Sequence, residues 1–211
     1  MTLDEIAYNL LNLMRGGRSS NDEHISLDQI KFNIKHYRAM FIRRDYAKNQ
    51  HVSTSLEQDI GCVPLIKVDG SKCCNLPKLP KTVRFNFKDA FTFIGKPNGT
   101  GTIPKIEPYE VEYLQYDKFT KNQTKYYLID DHVYVYNPNG LDAINIRGVF
   151  EDPEDVHEWD TCNGNCYDNQ TDYPLPLDML SAINTGLLQG ELAILMNSPN
   201  DGELDRQQNK Q

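Results

Sequence analysis

The 211-residue sequence predicts an α+β fold, in which an N-terminal antiparallel helical hairpin and a C-terminal helix accompany a central antiparallel β-region of sandwich or barrel type. Near both ends of the chain, apolar residues recur every three or four positions, which is the period of an amphipathic helix. Between about residues 55 and 150, short segments rich in Val, Ile, Tyr and Phe alternate with Pro, Gly and Asn clusters. This pattern favours antiparallel strands over a parallel nucleotide-binding sheet.

The first predicted segment, residues 1–54, is the helical hairpin. Thr2-Leu3-Asp4-Glu5 has the sequence of a capping box, in which the Thr oxygen accepts from a backbone N–H three residues on and the Glu reaches back. Gly16-Gly17 ends this helix. A second capping box, Ser26-Leu27-Asp28-Gln29, opens a longer helix that ends near Asn49. The apolar stripe of the second helix consists of Leu27, Ile30, Ile34, Tyr37 and Phe41.

The second predicted segment, residues 55–150, is the β-region. Its clearest hairpin joins residues 125–129 to 132–136 across Asp130-Asp131, and Asn137-Pro138-Asn139-Gly140 is a strong turn. The pattern predicts strands over residues 60–68, 82–87, 90–94, 109–116, 124–129, 132–136 and 143–150.

Three further segments follow the β-region. Residues 151–175 are predicted to form an acidic loop, because the stretch 151–160 alone carries six carboxylates. Residues 176–197 show helical apolar spacing, and residues 198–211 form a polar tail without aromatic residues, which is too poor in apolar surface to fold alone.

Two glycines, Gly186 and Gly190, lie four positions apart in the last predicted helix. On one face they would permit another backbone element to approach closely. Each also costs about 1 kcal/mol relative to Ala in a helix interior, so a weak or interrupted helix is the alternative. The sequence leaves both interpretations open.

Charge and composition exclude some functional classes. With 22 Lys and Arg against 30 Asp and Glu, the net charge is −8, whereas a sequence-reading nucleic-acid binder normally has a basic surplus. The N-terminus is acidic and no long apolar run follows, so we expect no secretion signal and no membrane helix. In a cytosol, the cysteines are expected to be reduced thiols. They are Cys62, Cys73, Cys74, Cys162 and Cys166.

Three segments suggest chemistry, and each fails on spacing. Gly95 to Gly101 is not a phosphate-binding loop, because only three residues separate its first two glycines and no Gly-Lys-Ser/Thr follows. Cys162 and Cys166, even with the adjacent Cys73-Cys74, lack the paired ligand spacing of a zinc site. The acidic stretch lacks the order of an EF-hand. We therefore predict a hairpin tip, a solvated acidic loop, and no catalytic residue, cofactor or metal.

The second helix is basic along one side. Nucleic-acid contact is one interpretation, but the net charge favours a solvated flank or salt bridges to an acidic neighbouring subunit. The basic residues are Lys31, Lys35, Arg38, Arg43, Arg44 and Lys48.

Four segments resemble virion proteins of tailed bacteriophages. They are Met1 to Gly17 (MTLDEIAYNLLNLMRGG), Ser26 to Ile30 (SLDQI), Tyr37 to Arg43 (YRAMFIR) and Gln58 to Val63 (QDIGCV). The likeness is to the ring proteins, or head-to-tail adaptors and tail connectors, of crAss-like phages. It implies a non-enzymatic homo-oligomeric ring of twelve copies that joins the portal protein to the adjacent tail ring and lines or surrounds the DNA channel. It also implies assembly in the bacterial host cytoplasm and location in the virion neck or tail.

In such a ring, we expect the helical hairpin to pack against neighbouring subunits and the β-region to form the outer body. One alternative is a tail-associated binding module that contacts host glycans or other tail proteins through exposed Tyr residues and Trp159. A hydrolase is a second alternative, although no set of nucleophile, base and oxyanion donors is recognisable. The candidate subunit-interface residues are Ile30, Ile34, Tyr37, Phe41, Arg38, Arg43, Gly186 and Gly190.

Overall fold

The computed structural model describes residues 1–14, 26–67, 73–85, 90–116, 118–129, 132–157, 159 and 172–190. It confirms the α+β class, with helices near both ends and two antiparallel sheets. The chain forms two compact units. The helical unit comprises residues 1–41 and 169–211, and the β unit comprises residues 42–168. The boundaries of the five predicted segments stay predictions.

The elements occur in the following order along the chain. The α-helices are α1 (Leu3–Met14), α2 (Leu27–Asn49), α3 (Pro153–His157) and α4 (Leu177–Gln189), and two 3₁₀ helices span Thr54–Leu56 and Pro108–Tyr116. The strands are β1 (Gln58–Pro64), β2 (Ile66–Lys67), β3 (Cys73–Asn75), β4 (Phe91–Gly95), β5 (Lys125–Ile129), β6 (His132–Tyr136) and β7 (Ala143–Gly148).

Side-chain caps define where the first two helices begin. Before α1, the Glu5 N–H donates to Thr2 Oγ1 at 3.1 Å and the Thr2 N–H donates to Glu5 Oε2 at 3.0 Å, so both halves of the predicted capping box form. Before α2, Ser26 Oγ accepts from the Gln29 N–H at 3.2 Å. The predicted end of the second helix at Asn49 is also confirmed. Gly16-Gly17 lies outside the described residues.

The helical unit has its own apolar core. Buried side chains from α1, α2 and α4 meet there, as their three- and four-residue spacing predicts. Each fully buried aliphatic side chain contributes about 1.5–3 kcal/mol relative to an exposed one. The core residues are Leu3, Ile6, Ala7, Leu10, Leu11, Ile30, Ile34, Tyr173, Ile183 and Leu187.

The β unit contains a sheet of order β1-β7-β4 and a sheet of order β2-β3-β6-β5. The predicted hairpin is confirmed, because β5 pairs with β6 from Lys125 opposite Tyr136 to Ile129 opposite His132. Both sheets contribute to one core, and within the described ranges they form a sandwich-like arrangement rather than a closed barrel. This core includes Ile60, Val63, Ile94, Ile144 and Ile146 from the first sheet and Tyr126, Val133 and Val135 from the second.

Two of the predicted strands are wrong. Residues 109–116 lie in the 3₁₀ helix Pro108–Tyr116. Val111 and Leu114, which are three residues apart, share one side of it and join the small cluster against β5 and β6. In 82–87, the described part makes a single bridge, Thr82 to Phe150, rather than a strand. The preference of Val, Tyr and Phe for strands depends on a partner strand, and neither 109–116 nor the described residues 82–85 form a ladder with one.

Other boundaries differ from the prediction in smaller ways. The predicted strand 60–68 divides into β1 and β2, and β3 was not predicted. The acidic segment contains α3, which begins where Asp152 Oδ1 accepts from the Glu154 N–H at 3.0 Å. Gly95 to Gly101 forms a hairpin tip, as predicted, with the Gly99 N–H donating to the Lys96 carbonyl at 2.9 Å. The polar tail 198–211 lies outside the described residues.

The prediction of five reduced thiols is wrong for Cys62, which is disulfide-bonded, whereas Cys73 and Cys74 form no disulfide. An odd cysteine count excludes a complete set of bridges but not a single one. Cys62 lies at a bulge of β1 with φ of 51°. Its backbone N–H donates to Asn145 Oδ1 at 3.1 Å. This side-chain bond replaces the strand-to-strand hydrogen bond that the bulge interrupts.

Candidate subunit-interaction surfaces

Most of the predicted interface residues lie inside the helical unit. Ile30 and Ile34 are fully buried in its core. Tyr37 and Phe41 are half-buried and face Gly186 of α4. A Cβ at position 186 would lie 3.0 Å from Tyr37 Cε1 and 3.9 Å from Phe41 Cε2, so this glycine permits α4 to approach α2 closely within one chain. Contact of these residues with a second subunit stays a prediction.

Gly190 has a different position from Gly186. It is the C-cap of α4 rather than an interior residue, and its N–H donates to the Gly186 carbonyl at 2.9 Å. A Cβ at position 190 would lie 2.9 Å from the Tyr37 hydroxyl. Both glycines therefore permit a close approach to Tyr37, and Gly190 also ends the helix.

Arg38 is not on a solvated flank, because its side chain is fully buried. Its Nε donates to the Pro174 carbonyl at 3.0 Å, and its guanidinium lies 5.7 Å from the centre of the Tyr173 ring. About two turns of helix earlier, Lys31 forms an ion pair with Asp4 at 2.5 Å. These two basic residues bind partners within their own chain.

The C-terminal part of α2, by contrast, carries exposed basic residues in the β unit. Arg43 and Arg44 line two adjoining cavities of about 450 and 440 Å³. Arg43 and Arg84 line both cavities. Lys78 and Lys81 line the first cavity, and Arg44 lines the second. We call this continuous depression, defined by Arg43, Arg44, Lys78, Lys81 and Arg84, the basic cleft.

Backbone hydrogen bonds hold the wall of the basic cleft. The Glu151 N–H donates to the Lys81 carbonyl at 2.8 Å, and the Val83 N–H donates to the Val149 carbonyl at 3.0 Å. These bonds align the segment 81–83 beside the end of β7. On the second cavity, the Tyr46 and Phe85 rings pack at 4.4 Å between centres, so an aromatic surface lies next to the guanidinium groups.

The electrostatics of the basic cleft oppose those of the whole chain. Among the described residues that line it, five are Lys or Arg, and Glu151 is the single carboxylate. Glu151 Oε1 accepts from Arg43 Nη2 at 2.5 Å. In a chain of net charge −8, this local positive surplus is suited to an anionic partner group.

A second surface carries exposed aromatic side chains. The 3₁₀ helix Pro108–Tyr116 and the turn after it expose Tyr109 by 70 %, Tyr113 by 69 %, Tyr116 by 79 % and Phe119 by 84 %. We call these four residues the aromatic ridge. Large exposed aromatic side chains that lie together are typical of protein interfaces.

Carboxylates accompany the aromatic ridge. Glu107, Glu110 and Glu112 are exposed, and the exposed Lys118 is the basic residue beside the ridge, with its Nζ 5.9 Å from the centre of the Phe119 ring. Glu110 also accepts from the Glu107 N–H at 3.0 Å and thereby stabilises the start of the helix. Because 109–116 was predicted as a strand, the ridge was missed. Tyr113 and Tyr116, whose spacing of three matches the period of a 3₁₀ helix, were the sequence signal for it.

A buried cluster supports the aromatic ridge from below. Ile106 and Leu114 pack against Tyr127 and Tyr136, which lie on the side of the second sheet away from the main core. The Tyr127 and Tyr134 rings stack at 5.2 Å and 8°. Burial, with the hydrogen bond from Tyr127 to Cys73, raises the pKa of Tyr127 well above its ordinary value of 10. The Tyr127 side chain in this buried cluster is therefore uncharged at physiological pH.

A family model described as phage tail ring protein 2 matches residues 5–210, nearly the whole chain. The chain belongs to the phage tail ring protein 2 family of crAss-like phages. The match confirms the resemblance of the N-terminal segments and extends it through the β unit. No curated protein matches this chain.

A tail ring protein is a structural component of the virion. Among the described residues, no group of three or more His, Cys, Asp or Glu is placed to hold a metal ion. None of the helices in the described ranges combines the length and apolarity that crossing a bilayer requires.

Proposed function

We propose that this tail ring protein is a non-enzymatic structural subunit of a homo-oligomeric ring of twelve copies. The ring lies in the head-to-tail connector or tail barrel, joins the portal protein to the adjacent tail ring, and lines or surrounds the DNA channel. The family match over residues 5–210 is the observation that carries this proposal.

Two features of the β unit support an oligomeric role. The basic cleft and the aromatic ridge are exposed and have no residue in common. Lys and Arg side chains line the cleft, whereas the exposed carboxylates of Glu107, Glu110 and Glu112 accompany the ridge. An enclosed ring around DNA also benefits from a net charge of −8, because like charge repels phosphates and keeps packaged DNA mobile.

The experiment is the native mass of the purified full-length chain, alone and after co-expression with the portal protein. The proposal predicts a closed species whose mass is a multiple of the 24.3 kDa chain in at least one of the two samples. A chain that stays monomeric in both, and that mass spectrometry does not find in purified virions, would contradict it.

The aromatic ridge favours one alternative, a tail-associated module that binds host glycans, because tyrosine faces stack on sugar rings. Trp159 is half-buried against the main β core, so the ridge tyrosines are the contacts for this alternative. A glycan array probed with the full-length chain tests it. Binding that is lost in Tyr113→Ala but kept in Tyr8→Ala would support the binding module. Tyr8 is a matched control, because it is 53 % exposed on α1.

A further inference from the structure

We propose that the aromatic ridge of one copy docks into the basic cleft of the next copy, so that the ring closes through this head-to-tail contact. The contact rests on the proposed function, because it requires a homo-oligomer. In this contact, the aromatic ridge of one β unit binds the basic cleft of the β unit in the next copy.

Charge determines which kind of symmetry this contact has. In an isologous contact the same patch meets itself, which would place the positive groups of two clefts, or the carboxylates of two ridges, against each other. A heterologous contact instead brings the carboxylates Glu107, Glu110 and Glu112 to the Lys and Arg side chains of the basic cleft. Repeated around an axis, a heterologous contact generates a ring.

The chemistry of each surface also fits the other. An Arg guanidinium stacks on aromatic faces as well as binding carboxylates. The basic cleft supplies Arg44 and Arg84 beside the Tyr46 and Phe85 rings. Cavities of about 450 and 440 Å³ lie within the range of about 300–1,000 Å³ that accommodates a bound organic group. Each is therefore suited to an aromatic side chain from the ridge.

DNA phosphate is the competing partner for a basic surface. Three observations favour a protein segment instead. Glu151 lies within the cleft and pairs with Arg43 at 2.5 Å. The second cavity has an aromatic surface that phosphate does not need. The chain as a whole carries a net charge of −8, which weakens attraction to a polyanion.

Zero-length carbodiimide cross-linking tests the contact directly, because it joins a carboxylate to a Lys amine that lies in ion-pair reach. Equal amounts of ¹⁵N-labelled and unlabelled full-length chain are assembled together, and the mass of the assembly is measured on the same sample. We expect mixed-isotope peptides that join Glu107, Glu110 or Glu112 to Lys78 or Lys81. An assembled ring without such peptides overturns the contact and leaves the ring function standing.

Charge reversal gives a second measurement. Arg44 and Glu112 are both exposed, so substitution at either site leaves the fold in place. Arg44→Glu and Glu112→Arg should each lower the association constant about tenfold or more, and the two reversals in one chain should recover most of the loss. Lys48→Glu, four residues from Arg44 and outside both cavities, is the control, with less than about a threefold effect.

The remaining outcomes are also decisive. Cross-links from Lys78 and Lys81 to another virion protein alone would assign the cleft to that protein and overturn the proposal. Duplex DNA binding that is abolished by Arg44→Glu, with assembly unchanged, would assign the cleft to DNA. A chain that neither assembles nor enters virions would contradict the proposed ring function, and therefore also the contact between copies.

Discussion

Replacing Arg38 with alanine should destabilise the helical unit strongly, because a fully buried guanidinium and its stem are lost together. The hydrogen bond from Nε to the Pro174 carbonyl, at 3.0 Å, has a charged donor and contributes about 1.5–3 kcal/mol. The Tyr173 ring, 5.7 Å away, adds up to about 2 kcal/mol in a desolvated setting. Part of this is offset, since removing the charge also removes its desolvation cost. We expect a net loss of about 3 kcal/mol.

The assay is urea denaturation of the full-length chain, followed by circular dichroism. Arg38→Met keeps the length of the buried stem and removes the charge, so it should lose about 1–2 kcal/mol less than Arg38→Ala. Lys48→Ala, at an exposed position of the same helix, should change stability by less than about 0.5 kcal/mol. If Arg38→Ala unfolds at the same urea concentration as Lys48→Ala, then the assignment of Arg38 to the interior is wrong.

Three further outcomes are expected. Gly186→Val should lower the free energy of unfolding by about 1–3 kcal/mol, because a Cβ at this position would already lie 3.0 Å from Tyr37 Cε1. The control Thr185→Val, at an exposed position of the same helix, should leave stability nearly unchanged. Equal thermal midpoints for the two variants would count against close packing at Gly186. The raised pKa of Tyr127 means that the folded chain holds this proton longer than the unfolded chain, so the stability it contributes is complete below pH 10 and is lost as pH rises further. Urea midpoints of Tyr127→Phe should therefore fall less between pH 9 and 11 than those of the wild type; parallel profiles would refute this. Truncation after Asn197 should weaken attachment to the portal protein in a pull-down, and unchanged attachment would argue against a role for the polar tail.

Local signals predicted the helix starts well. Thr2 and Ser26 cap α1 and α2 because a capping box depends on residues three positions apart, and no distant contact is needed to form it. The β5–β6 hairpin was equally predictable, since its two strands are neighbours in sequence with only two residues between them.

Long-range contacts decided the features that the sequence did not predict. β3 is three residues long, and its pairing along all three residues is with β6, about 60 positions later. The segment 109–116 has the residue types of a strand, yet it became helical because Leu114 packs on Tyr127 and Tyr136.

The candidate surfaces were predictable only in part. Arg38 and Arg43 were grouped together from their charge, and the helix alone does not distinguish them. Arg38 is buried because Pro174 and Tyr173 lie against it, 135 or more positions along the chain. Arg43 lines a cleft because the segment 78–84 lies beside it. Sequence spacing indicates which residues share a helix face, but not which distant segment covers that face.

The most direct test of the ring function is electron microscopy of purified virions that carry a tag inserted after Asn98. This site is at an exposed hairpin tip, where the neighbouring Gly99 has open space around its Cα. The proposal predicts extra density that repeats twelve times around the tail axis, in one ring between the portal and the tail. Absence of tag density from virions, or a single unrepeated copy, would contradict it.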